Sequence, residues 1–212
     1  MDDPANQIEG VIKTLTTGNA QEQEDALDKY FLPDAAFIHP YCYVPRFSKV
    51  AIPFIGTINS LWVLLGIYRW YRTMSPRIDI SIDSTAFDEK SGLLYVTIRQ
   101  RFSVWAIPFY SVAVKLVTVL ELVKQTTRDT RPGAESPELE AEDASGGPAK
   151  ERYFIASQED LYQMNEALHF IMPGFGRQVW TIWQLVSTVI CVILSLITLP
   201  LFLFLNKGKA KK

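Results

Sequence analysis

Cysteine is scarce in this sequence: Cys42 and Cys191 are the only two among 212 residues. One lies in the body and one in an apolar tail, so no disulfide framework is readable. Histidine is as rare. His39 and His169 stand far apart in sequence, no Cys/His ligand spacing exists, and no metal is expected. Also missing are a P-loop, a G-x-G-x-x-G turn and any Ser/His/Asp pattern, so no cofactor is expected either. Charge of neither sign dominates. Lysine and arginine number 21 against 23 acidic residues, and the basic ones are scattered apart from a short C-terminal cluster. That balance gives no reason to expect a nucleic-acid partner. The first ten residues, MDDPANQIEG, lack the basic start and apolar run of a secretory signal, so the body of the protein is expected in the cytosol.

What the sequence does have is a long apolar stretch. Residues 178–206, between Arg177 and Lys207, carry no Asp, Glu, Lys or Arg over 29 positions. A bilayer's hydrocarbon takes about 20 apolar residues as a helix, so this run is long enough to span with tilt. Trp180 and Trp183 stand where an interfacial aromatic belt belongs. The tail NKGKAKK carries four lysines. A single span is expected, as in a tail anchor; the alternative is a hairpin reversed at Pro200. A second uncharged run, Val50–Tyr68, is interrupted by Pro53, Gly56, Asn59, Ser60 and Gly66, and reads as part of the folded domain.

In the body, Asp3 and Pro4 open a first helix with Ile8, Val11, Ile12 and Leu15 on one stripe, ended by Gly18. Asn19 to Glu22 has the form of a capping box and starts a second helix, burying Leu27, Tyr30 and Phe31 and stopping before Pro33. Asp34 to Pro40 reads as a short strand. A third helix is predicted over Thr57 to about Met74, with Leu61, Leu64, Leu65, Tyr68 and Tyr71 inward. The period then shortens from 3.6 to 2 in Arg77–Phe87, Leu93–Ala106 and Val112–Val123, each with one apolar face. Lys90-Ser91-Gly92 makes the first hairpin. Residues 125–150, rich in Glu, Pro, Gly and Ala, read as a disordered acidic loop, and Glu151–Leu161 as a last strand and the approach to a helix. The fold class is α+β: N-terminal helices packed on a curved antiparallel sheet, plus a C-terminal transmembrane or membrane-embedded helix. The expected domains are 1–172, including the loop, and a 173–212 membrane anchor with its basic tail.

The order of these elements, with the segments LDKYFLPDAAFIHPYC, IYRWYRTMSP, AFDEKSGLLYVTIRQRF, IPFYSVAVKLVTVLEL and SQEDLYQMNE, resembles the fungal SigF-like branch of the nuclear-transport-factor-two-like superfamily. The resemblance covers about residues 3–205 apart from the acidic loop. It implies a cone-shaped domain with one apolar cavity; members of the superfamily include isomerases, dehydratases and adaptors, so it implies no particular reaction.

His39, at a strand end, is the candidate catalytic base, and His39, Trp62, Tyr68 and Tyr71 are the candidate ligand-cavity residues. A packed, hydrogen-bonded histidine at the mouth and plain core aromatics at helical spacing are the commoner alternatives. Asp79, Asp83 and Glu121 alternate onto the polar strand face, which weakens a catalytic reading. Arg69 and Arg72 are expected to face solvent or lipid headgroups. VWAIPFY, containing Trp105, Ile107 and Phe109, and AIPFIG at 51–56 are candidate membrane-contact segments with Trp180 and Trp183; buried turns are the alternative. Three functions follow in order. The first is a membrane-anchored domain binding an apolar molecule such as a lipid or sterol, on the endoplasmic reticulum or another endomembrane. The second is an adaptor that dimerises with its own kind or recruits another protein. The third is an isomerase or dehydratase on a hydrophobic substrate.

Overall fold

A computed structural model describes residues 1–54, 56–104, 110–127, 150–172 and 174–206. They form two compact units, one within 1–162 and the other within 163–206.

The first unit opens with α1 (Pro4–Thr17), capped by the Asp3 carboxylate accepting from Asn6 N at 3.2 Å. Next comes α2 (Ala20–Tyr30), which has the reciprocal capping box. Asn19 Oδ1 accepts from Glu22 N at 3.0 Å, and Glu22 Oε2 accepts from Asn19 N at 2.7 Å. Strand β1 (Phe31–His39) follows directly and is longer than the Asp34–Pro40 expected, because Phe31 already pairs with Ile155. Two short strands, β2 (Cys42–Val44) and β3 (Val50–Ile52), lead to β4 (Gly56–Ile58).

The helix predicted from Thr57 is α3 (Ser60–Met74). It starts later because residues 56–58 are taken by pairing with β3, and because Asn59 supplies the cap, its side chain accepting from Trp62 N at 2.9 Å. The uncharged run Val50–Tyr68 is thus a hairpin and most of a domain helix.

The long strands are β5 (Ile78–Asp88), β6 (Leu93–Ser103), β7 (Ser111–Thr127) and β8 (Lys150–Tyr162). Of the supposed loop at 125–150, residues 125–127 and 150 belong to strands; 128–149 lie outside the described residues. The six-stranded sheet has the order β2-β1-β8-β7-β6-β5. Its junctions are antiparallel except β1–β8, which is parallel. No hairpin links those two strands, so nothing in the connection forces them to run oppositely. The sheet curves, and register shifts of the kind that bend strands fall in β1, β5 and β8. Ile8, Leu15, Leu27 and Leu64 from the helices close on Leu94, Val96, Val112, Leu120 and Ile155 from the sheet to make the core. Asp79, Asp83 and Glu121 are exposed, and Asp83 pairs with Arg99 at 2.7 Å.

The second unit holds α4 (Met164–Ile171) and α5 (Gly176–Asn206). Arg177 grips both carboxylate oxygens of Glu166, at 2.9 and 3.0 Å. Over Gly176–Leu199, α5 has a mean hydropathy of 2.3, only Gly176 is buried among its described residues, and it is long and apolar enough to cross a membrane. It continues through Pro200 with no reversal there. Thr181, Thr188 and Thr198 turn their hydroxyls back to carbonyls one turn earlier, at 2.9, 2.8 and 2.8 Å. On α4, the His169 Nδ1 is buried with no hydrogen-bond partner among the described residues.

Candidate functional site

The end of β1 and the start of β2 bring His39, Tyr41 and Cys42 to one end of the sheet, facing the C-terminal half of α3. His39 packs against Tyr71 at 5.7 Å between ring centroids, Tyr162 at 5.2 Å, Tyr41 at 5.4 Å and Phe37 at 6.0 Å. Its Nδ1 accepts from Tyr41 N at 3.3 Å and lies 3.4 Å from the Tyr71 hydroxyl. An accepting Nδ1 leaves the imidazole proton on Nε2, so Tyr71 is the donor of that pair. Cys42 Sγ sits 3.9 Å from the same hydroxyl. Burial strips water from the ring and pulls the His39 pKa down to about 4, so the imidazole is neutral at pH 7.

A second string of polar groups lies further in. The Tyr68 hydroxyl donates to Gln158 Oε1 at 2.9 Å, and Gln158 Nε2 donates to Asp160 Oδ1 at 3.1 Å and Oδ2 at 3.3 Å. Thr118 Oγ1 donates to Asp160 Oδ1 at 2.7 Å. Burial pushes the Asp160 carboxyl up to about 6, against the pull of those two hydrogen bonds. It is still mostly ionised at pH 7. The hydroxyls of Tyr68, Tyr71 and Tyr162 are all driven upward, chiefly by the same desolvation, and stay protonated. The two strings run from Tyr41, 41% exposed, through half-buried His39, Cys42, Tyr71, Tyr68 and Asp160, to buried Gln158 and Thr118.

Of the four ligand-cavity candidates, the structure thus brings His39, Tyr68 and Tyr71 together. Trp62 stands apart: it is 52% exposed and lines a groove between α2 and α3 with Glu24, Leu27 and Leu65. Arg69 is engaged within the domain, bonded to Glu24 at 2.8 Å and to Ala20 O at 3.1 Å, and Arg72 donates to Pro76 O. Trp105, Ile107 and Phe109 lie outside the described residues. Trp180 and Trp183 both lie on α5, the latter 57% exposed. No cluster of metal-ligating side chains occurs among the described residues.

Asp160, Gln158, Thr118 and Tyr162 are the residues that reading the sequence alone does not supply, and the reason is a single bulge. Where Leu122 pairs with Ile155 and the adjacent Glu121 with Ser157, β8 advances two residues for one, and Ala156 is the extra. Before it, Tyr153 and Ile155 face the core; after it the parity flips, and Gln158, Asp160 and Tyr162 face inward. Leu161 is turned out, 47% exposed. The inverted pattern, an outward leucine between an inward aspartate and tyrosine, is the signal that was there to be read.

The family model for the SigF NTF2-like domain matches residues 1–130 and 147–201. The chain belongs to that family. No curated protein matches it significantly. Three solved structures illustrate its wider likeness. One is a hypothetical protein with a ketosteroid isomerase-like fold from Catenulispora acidiphila, 15% identical over 76% of this chain and 88% of its own, with a TM-score of 0.44. Another is a putative SnoaL-like polyketide cyclase from a Jannaschia species, 11% identical over 82% and 96%, TM-score 0.47. A third is an LEH-like epoxide hydrolase of M. tuberculosis, 9% identical over 84% and 99%, TM-score 0.42. In this SigF NTF2-like chain the matched segments include every residue of the two polar strings and most of α5, while the internal unmatched residues 131–146 fall within 128–149.

Proposed function

We propose that this chain is a membrane-anchored domain of the SigF NTF2-like family, held on the cytosolic face of an endomembrane. There it binds an apolar small molecule such as a lipid or sterol, with the ligand's polar end at the His39–Tyr71–Asp160 cluster. One observation carries the reading. Aromatic rings and hydrogen-bonding groups converge at a single end of the sheet and grade from exposed to interior, as a small-molecule site requires. A helix long and apolar enough to cross a membrane, exposed along almost all of residues 177–199, supports placing that site beside lipid. The two unpaired cysteines support a reducing compartment. Mass spectrometry of the full chain purified in mild detergent tests it. A stoichiometric co-purifying lipid, lost on Tyr71→Phe combined with His39→Ala, is expected; purification free of any small molecule, with no uptake from a lipid extract, overturns it.

Asp160 favours a second reading, proton transfer as in an isomerase or dehydratase. A carboxyl held near 6 exchanges protons easily at neutral pH, and it displaces His39, neutral down to about 4, as the candidate base. Asp160→Asn then abolishes turnover of a hydrophobic substrate while affinity persists; unchanged turnover excludes this chemistry.

A further inference from the structure

The Asp160 carboxylate has no cationic partner among the described residues. The groups around it are neutral on every element packed against it: Gln158 and Tyr162 on β8, Thr118 on β7, Tyr68 and Tyr71 on α3, and Cys42 and His39 at the β1–β2 turn. The lysines and arginines in described ion pairs are matched to other carboxylates, those of Glu9, Asp34, Glu24, Asp83, Glu151, Asp2 and Glu166. Two of the hydrogen bonds to Asp160 converge on Oδ1, and Oδ2 receives only the longer one from Gln158, at 3.3 Å. An ionised carboxylate among neutral groups of this kind is favoured by a positive charge placed beside it. One oxygen has accepting capacity to spare, and the surrounding rings present faces that attract cations.

We propose that the ligand of this site is an amphiphilic amine, whose ammonium group pairs with Asp160 Oδ2 and whose hydrocarbon extends along the aromatic side chains toward Tyr41. The inference rests on the ligand-binding reading above and narrows it. A neutral alcohol can donate one hydrogen bond to the same oxygen but leaves the charge uncompensated. A fatty acid meets like charge and is rejected.

The test is calorimetric titration of the full chain in nonionic detergent with octylamine, octanol and octanoate, equal in chain length, with bare micelles as the blank. Octylamine is expected to bind at least about 10-fold tighter than octanol, with octanoate weakest. Asp160→Asn should erase the amine's advantage, bringing the ratio of amine to alcohol affinity to about one. Should that variant not fold, the wild-type chain still decides: the ratio of amine to alcohol affinity must shrink as pH falls from 8 to 5. Equal binding of amine and alcohol, or a ratio indifferent to pH, overturns the amine and spares the apolar-ligand reading. Binding of none of the three overturns both.

Discussion

Asp160 and His39 are displaced from ordinary ionisation in opposite senses, and the fold's pH dependence follows. Asp160 has a folded pKa of about 6 against 3.8 unfolded, so its contribution to stability is complete below about 4 and is lost as pH rises through 6. His39 has a folded pKa of about 4 against 6.5, so its contribution is complete above 6.5 and is lost as pH falls through 4. Each displacement corresponds to at most about 3 kcal/mol, less for the imidazole because water at the rim screens it. Between pH 6.5 and 4 the two therefore run against each other. Asp160→Asn leaves only the His39 contribution, and its urea midpoint should fall on acidification more steeply than the parent's. His39→Gln should do the reverse. Parallel curves for parent and both variants would show that neither side chain titrates as its burial requires. His39, Tyr68 and Tyr71 were legible as site candidates because a polar or aromatic residue on an apolar face is conspicuous in one dimension. Asp160 was not, since its neighbours assign it to the wrong face.

At the scale of elements, helix ends and strand periods followed local chemistry closely. The capping box of α2 and the alternation in β5 and β6 need only nearest neighbours to form, and the sequence shows them. What escaped was set by pairing at long range: the late start of α3, the parallel β1–β8 junction and the bulge at Ala156. The bulge makes a sharp prediction. Leu161, which alternation from Ile155 would bury, should tolerate Leu161→Lys within about 0.5 kcal/mol in thermal denaturation. Loss of the cooperative transition in that variant would mean that β8 keeps its parity. The hairpin between β5 and β6 makes another. Gly92 holds φ at +69°, and a Cβ there would meet the Leu122 carbonyl oxygen at 2.8 Å. Its own carbonyl accepts from Leu122 N at 2.7 Å, so the turn cannot drift away from β7. Gly92→Ala is expected to cost about 1–3 kcal/mol, read from the shift in denaturant midpoint.

For the molecule as a whole, the apolar helix was the most legible feature, because an uncharged run long enough to cross a membrane needs no tertiary partner to declare itself. At 1.5 Å per residue, the 31 residues of α5 extend about 46 Å, more than a hydrocarbon layer of about 30 Å. Lysines at its middle, Val189→Lys with Ile193→Lys, should each oppose insertion by about 2.5–3.5 kcal/mol and move the chain from the pellet to the supernatant of an alkaline membrane wash. If the parent itself is released by that wash, the span is wrong. The sheet has a different reach. Its strand β8 slots between β1 and β7, so residues 1–127 by themselves would leave a strand-wide gap flanked by two unpaired edges. A chain severed between Thr127 and Lys150 should hence reassemble from its two fragments. Tagged halves expressed separately would report their reunion without any artificial linker.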